Sequence, residues 1–298
     1  MTTLPPCPSR LRKALGLEYP ILGLWYEDSV PDGAVTAIEG ASRTAIGGCV
    51  LFLVSLAFRG DTAAFTPETS RCLGSSVGLG LPPNPEEHFP GGREALLRFL
   101  ANGNGCSPAG LAEAGRMRSE GMRGWAVREY LEGEGLKKSP ELAAEILEAS
   151  LATEPEGSVA ILRPLSPGDG GRPPRLAVML ADSLQLSALV VLANFARPGL
   201  DSVRIPMAAG CATIAAIPLR EARQETPRAV VGLTDVSSRR AMRGLLRRDL
   251  LAMTIPWPLY CEMEGNAEAS FLSRPYWKTM MGERPRAAPA PGRHPALQ

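Results

Sequence analysis

The sequence predicts an α/β or α+β fold, a mixed sheet with flanking helices, followed by a disordered Pro-rich C-terminal tail. Three observations predict it. Short Val/Ile/Leu-rich runs alternate with longer helical stretches through the second half of the chain. The 298 residues are 45% apolar, which is enough to bury a sizeable core. The last 17 residues, GERPRAAPAPGRHPALQ, carry four prolines and little that could pack. Residues 1–281 read as a single α/β domain, or as two halves meeting within 82–155, with the tail at 282–298.

The elements follow in order. RLRKALGL at 10–17 opens with a short helix, and PILGLWY at 20–26 is a buried strand ended by Glu27 and Asp28. A helix spans roughly Gly48–Arg59, stopped by Gly60 and Asp61, and TAAFTPETS gives a short strand and a turn. PPNPEEHFPGG at 82–92 is a loop, and Arg93–Asn102 is helical. The Gly-rich stretch 103–138 reads as irregular. Ser139, Pro140 and Glu141 then signal a helix start: an N-cap, a proline at the first helical position and an acid in the first turn. Strands are expected at 158–165, 175–181, 202–207 and 228–234. Helices are expected at 185–196, with Asp182 or Ser183 as cap, in GCATIAAIPL, within 257–269 and over 276–281.

Composition narrows the function. Lys plus Arg (32) nearly equals Asp plus Glu (31), so a net charge of +1 gives no general reason to bind nucleic acid or an anionic membrane. Only Lys13, Lys137, Lys138 and Lys278 could form a Schiff base, and the middle two sit in polar sequence. With His88 and His294 as the two histidines, a His-rich metal site is excluded and a Ser/His/Asp triad is disfavoured. No Walker or dinucleotide fingerprint and no G-x-S-x-G elbow occurs. The longest uncharged apolar-rich runs, Ala45–Phe58 and Ile205–Leu219, fall short of the ~18–20 residues of a membrane span. The opening segment lacks a continuous apolar signal core. The reading is a cytoplasmic protein, without nucleic-acid or membrane partners, whose six cysteines are reduced thiols or ligands.

Cysteine spacing is never closer than 23 residues, so no zinc-ribbon or ferredoxin pattern is present. Cys49, Cys72 and Cys211 have similar surroundings. Each is flanked by small residues, and two or three of them sit near an expected helix start, where free N–H groups favour thiolate. Small buried core cysteines would look the same. Asp235 and Arg239 follow the strand RAVVGLT at its carboxyl end, where ligands of α/β sheets tend to sit. Glu262, Glu264 and Glu268 cluster in YCEMEGNAEASFL, as acid/base groups or as a solvated face. Arg239, Arg240, Arg243, Arg247 and Arg248 have helical spacing and read most simply as a solvated helix face.

Two long stretches, LQLSALVVLANFARPGLDSVRIPMAAGCATIAAIPLREARQETPRAVVGLTDVSSRR and IPWPLYCEMEGNAEASFLSRPYWKTM, resemble the family called domain of unknown function 169. The segment GCVLFLVSLAFRGDTAAFTPETSRCLGSSVGLGL resembles its Cys-led first half. The likeness covers roughly residues 10–80 and 155–281. It implies a cytoplasmic α/β protein with no established activity. Cys49, Cys72 and Cys211 fall where the family's cysteines are expected, and Glu264, Asn266, Glu268 and Ser270 fall in its M-E-x-N-x-E-x-S-F stretch. Leu184 departs from the pattern, which would place an Asp before Gln185.

Two function classes follow. In the first, Cys49, Cys72 and Cys211 converge to hold zinc or an iron–sulfur cluster, or one of them acts as a thiolate. In the second, the protein binds or senses a small molecule without metal. Its ligand-binding residues would be Asp235, Arg239, Glu264, Asn266 and Glu268, in a pocket lined by the apolar IPWPLY segment.

Overall fold

The computed structural model of the protein describes residues 10–36, 51–67, 78–81, 89–150, 157–166 and 172–282. The first half runs α1 (Arg10–Leu15), β1 (Leu22–Glu27), α2 (Leu51–Ala57), β2 (Ala63–Phe65), α3 (Gly92–Leu100), α4 (Pro108–Ser119), α5 (Gly124–Glu132) and α6 (Pro140–Ser150). The second half runs β3 (Val159–Pro164), β4 (Leu176–Ala181), α7 (Ser183–Asn194), β5 (Val203–Arg204), α8 (Gly210–Ile214), α9 (Ala216–Ala222), β6 (Ala229–Gly232), α10 (Val236–Ala241), β7 (Leu251–Pro256) and α11 (Trp257–Asn266). A short 3₁₀ turn (Phe271–Ser273) and α12 (Pro275–Gly282) close the described chain.

These strands form one seven-stranded mixed sheet in the order β2-β3-β1-β4-β7-β6-β5. Neighbours are antiparallel except β5 and β6, which are parallel. The period-2 alternation of a strand splits the core in two. Leu176, Val178 and Leu180 of β4 face one layer, with α2, α8, α9, Leu233, Met242 and Leu246. Ala177, Met179 and Ala181 face the other, with α1, α7, α11 and α12. Helices therefore flank both faces. Helices α3–α6 gather around a separate apolar cluster that includes Phe89, Phe99, Met117 and Tyr130.

Local chemistry explains the helix starts. Asp182 and Gln185 cap α7 reciprocally, each side chain accepting from the other's backbone N–H at 2.9 Å. Ser139 Oγ accepts from Leu142 N–H at the start of α6. The sheet ends are closed differently. Val35 bridges onto the outer side of β2 through Val35 N–H to Thr62 O (2.8 Å) and Ala64 N–H to Val35 O (3.0 Å). The β5 edge is two residues long, with Pro206 just beyond it. There Arg204 reaches the buried Glu221 at 2.6 Å, and Arg228 holds the same carboxylate at 2.9 Å.

Four expectations are corrected. The Gly-rich stretch 103–138 is not irregular but holds α4 and α5. Its glycines allow backbone contact: a Cβ at Gly103, whose φ is +81°, would lie 2.1 Å from Leu131 O. Asn104 locks the junction by donating to Ala95 O (2.9 Å) and Tyr130 O (3.3 Å). GCATIAAIPL is two helices, broken at Ala215 (φ −130°, ψ −71°). Strand β7 is missing from the expected set, yet it lies between β4 and β6. The arginine run is not one helix face, because α10 ends at Ala241 and Gly244 turns the chain at φ +81°. The expected Pro-rich tail from 283 onward, Cys7, Cys49, Cys72 and both histidines lie outside the described residues. Among the described residues no helix is long and apolar enough to cross a membrane.

Candidate functional site

The carboxyl ends of β4 and β6 open toward the first face of the sheet. Leu233, just past β6, adopts a left-handed backbone (φ +59°). For a leucine this costs roughly 1–3 kcal/mol and persists only where packing enforces it. That packing is visible. A Cβ at Gly232 would sit 2.5 Å from Thr213 Oγ1, so the strand end is pressed onto α8. Thr213 Oγ1 accepts from Leu233 N–H (3.4 Å) and donates to Gly210 O (2.9 Å).

The turn after Leu233 delivers Asp235, which is only 2% exposed. Its Oδ2 caps α10, accepting from Ser238 N–H (2.9 Å), Ser238 Oγ (2.7 Å) and Ser237 Oγ (2.7 Å). Ser238 Oγ in turn accepts from Gly210 N–H at 2.8 Å, so one hydroxyl ties the starts of α8 and α10 together. Asp235 Oδ1 is buried without a hydrogen-bond partner, an arrangement that native interiors usually avoid.

Beyond α10 the chain folds back to β7 and encloses a cleft of about 530 Å³. Leu180, Leu233, Met242, Leu246 and Leu250 form its apolar floor, and Arg239, Arg240, Arg243, Arg247 and Arg248 form its rim. Three of these arginines are committed. Arg239 donates to the backbone oxygens of Leu250 and Arg248, which fixes the loop. Arg240 grips Glu129 of α5 with two bonds, at 2.7 and 3.0 Å. Arg247 pairs with Asp249 and with Glu18, the latter at 3.0 Å. The side chains of Arg243 and Arg248 are exposed and make no hydrogen bond or ion pair among the described residues. Glu134, on the turn after α5, is partly buried beside this rim. Burial pushes its carboxyl up to about 7; Arg240 and a hydrogen bond with Ser237 oppose that shift, while Asp235 and Glu129 add to it.

Of the residues expected to bind a ligand, Asp235 and Arg239 meet here and the others do not. Glu264 is on α11, across the sheet in the second core. It is 4% exposed and accepts from Tyr260 Oη (2.7 Å) and Leu11 N–H (3.4 Å). Asn266 ends the same helix and takes Ser270 N–H on its backbone oxygen at 3.0 Å. Glu268 is exposed and pairs with Arg10 at 3.3 Å. The IPWPLY segment does not line the cleft either. Alternation along β7 sends Ile255 to the second core, where Trp257 and Leu259 follow it. Leu184 is partly exposed at the start of α7, and Asp182 two residues earlier supplies the cap.

Cys211, on α8, is buried and not in a disulfide. A Cβ at Gly78 would lie 2.5 Å from its Sγ, so the backbone at Gly78 packs against this sulfur. Cys106 is exposed in a turn. Cys261 is half-buried, and burial together with Glu264 pushes its thiol up to about 11. Among the described residues no group of three or more His, Cys, Asp or Glu could hold a metal ion. Sequence reasoning missed Glu134, which the helical cluster brings beside α10, and the shared cleft of Arg243 and Arg248, which depends on how the chain turns after Ala241.

A family model, DUF169, described as an uncharacterised ArCR family, matches residues 10–266. No curated protein and no solved structure matches the chain.

Proposed function

The chain belongs to the family of domain of unknown function 169, and from that premise we propose that it binds a small amphipathic organic anion in the arginine-rimmed cleft. One observation carries this reading: two uncommitted guanidinium groups, Arg243 and Arg248, stand over a floor of leucine and methionine in a single concavity. Guanidinium offers a fork of donors that matches carboxylate, sulfonate or phosphate. The floor rewards an apolar body attached to that head group. The volume of about 530 Å³ is in the range of small-ligand sites. The described lining supplies cations and apolar surface but no nucleophile or general base, which favours binding over catalysis.

Calorimetric titration with 2-naphthalenesulfonate and with inorganic sulfate tests the reading. The aromatic sulfonate is expected to bind one to one and roughly tenfold or more tighter than sulfate, with affinity falling as salt rises. Replacing both Arg243 and Arg248 by Gln should weaken it by about tenfold or more. Equal affinity for both anions, or binding untouched by the double replacement, would sink the proposal.

A cysteine-centred site is the second reading. The contact between Gly78 and Cys211 favours it, because Cys72 lies six residues before that glycine. Iron, sulfide and zinc analysis of protein purified without oxygen tests it. Stoichiometric metal lost on replacing Cys49, Cys72 and Cys211 by Ser would support it, and metal-free folded protein would remove the metal form.

A further inference from the structure

We propose that Glu129 is a built-in competitor for Arg240, which removes that cation from the binding set and restricts the cleft to ligands with a single anionic group. This rests on the reading that the cleft holds an anion, and it adds a selectivity for charge that the reading itself does not contain.

The competitor comes from a different part of the molecule than the cleft. Arg240, near the end of α10, is one of the arginines lining the cleft. Both of its terminal nitrogens are spent on Glu129, Nη1 donating to Oε1 at 2.7 Å and Nη2 to Oε2 at 3.0 Å. A paired fork of this kind is the geometry with which a guanidinium takes a carboxylate or sulfonate, so Glu129 fills the place of a second head group. The carboxylate is also delivered by a packed element. Val127 and Tyr130, which flank it on α5, are buried in the cluster formed by α3–α6. Asn104 holds the backbone there through Tyr130 O at 3.3 Å. Exposed ion pairs between two mobile side chains contribute little, but a doubly bonded pair with one partner on a packed helix loses less freedom in forming.

The rim is then divided by commitment. Arg239 is held by backbone oxygens, Arg247 by Asp249 and Glu18, and Arg240 by Glu129. Arg243 and Arg248 are left for one head group. A second anionic group reaching toward Arg240 would find its fork filled and a like charge beside it. It would lose hydration without gaining a partner, which is selectivity by repulsion. The cleft therefore gives a dianion no advantage over a monoanion with the same apolar body.

Calorimetric titration of the full chain with 2-naphthalenesulfonate and with 2,6-naphthalenedisulfonate tests this. The wild type is expected to bind the disulfonate no more than about threefold tighter than the monosulfonate. Glu129→Gln, which keeps the shape and removes the charge, is expected to raise that preference to about tenfold. Adding Arg240→Gln should return it to the wild-type level. Glu120→Gln makes the same change in net charge beside Arg116, which does not line the cleft, and should leave the preference where it was. Thermal unfolding checks that each variant is folded, and the wild-type comparison stands without them. A wild type that prefers the disulfonate by about tenfold or more overturns the competitor and leaves the cleft reading intact. So does a preference that Glu129→Gln does not raise, that Glu120→Gln raises equally, or that survives the loss of Arg240. Binding of neither probe by the wild type overturns the cleft reading and the competitor with it.

Discussion

On one face of the sheet a buried carboxylate is fully provided for. Glu264 takes a phenol and a backbone N–H, and the surrounding aromatics stack, with Trp257 and Tyr260 centroids 5.0 Å apart. On the other face Asp235 is equally buried but leaves an oxygen without a donor, a leucine is held in a left-handed backbone, and arginines stand at an open cleft. Both faces are built from the same strands, so strand chemistry does not explain the contrast. It lies in what the connections add. α11 follows β7 directly and seals its face, whereas the connection from α10 to β7 curls back and leaves a hollow. The strained Leu233 and the unpartnered Asp235 oxygen lie on the side of the hollow, while among the described residues on the sealed face the unpartnered polar atom is the Trp257 indole nitrogen and the carboxylate is satisfied.

The comparison can be broken most forcefully in the sealed core. Leu189→Ala on α7, at a fully buried position, is expected to cost about 2–5 kcal/mol in urea unfolding. Leu246→Ala on the cleft floor should cost about 1 kcal/mol, since it widens a space already open to water. Equal losses would mean that the cleft closes in solution. Next comes pH. The folded-state carboxyl of Glu134 near 7 lies above its ordinary 4.5. The group's stabilising contribution is therefore fully present below about pH 4.5 and is lost as pH rises through about 7. Glu134→Gln should gain up to about 3 kcal/mol on the wild type at pH 8 and nothing at pH 4. A constant difference between the two proteins across that window would refute this origin. Gly78→Ala should follow at about 1–3 kcal/mol, because its Cβ would meet Cys211 Sγ at 2.5 Å and Ala212 N at 2.8 Å. The smallest stability effect, within about 0.5 kcal/mol, is expected for Arg243→Gln with Arg248→Gln, since both side chains are exposed. Their loss should be read in ligand affinity and not in the melting curve.

Much of this frame was legible in the residues. LAVMLA and RAVVGLT are continuous apolar runs of strand length and became β4 and β6. Asp182 and Asp235 stood where helix caps belong. β7 was not legible, because its apolar run leads straight into WPLY and short runs of this kind do not distinguish a strand from the start of a buried helix. The helices within 103–138 were hidden by their many glycines, of which Gly103, Gly105 and Gly133 sit at close backbone contacts between segments distant in sequence. Of the candidate cleft, only part was legible. A strand end pointed to Asp235 and Arg239, but Glu134 is brought there by the helical cluster, and the family-like acidic stretch of α11 turned out to serve the opposite core.

The short β5 edge has a consequence for how the protein behaves at high concentration. An unpaired strand is a template on which a second chain can grow. Here the template has only two residues, a guanidinium clamped onto Glu221, and a proline just beyond that has no N–H to offer. A newcomer strand would find too few donors and acceptors to register against. At the far end Val35 takes up the outward backbone groups of Thr62 and Ala64. Among the described residues the β5 end therefore offers only a two-residue ladder, and Leu200 and Ile205, although widely exposed beside it, have little backbone through which to recruit a second strand.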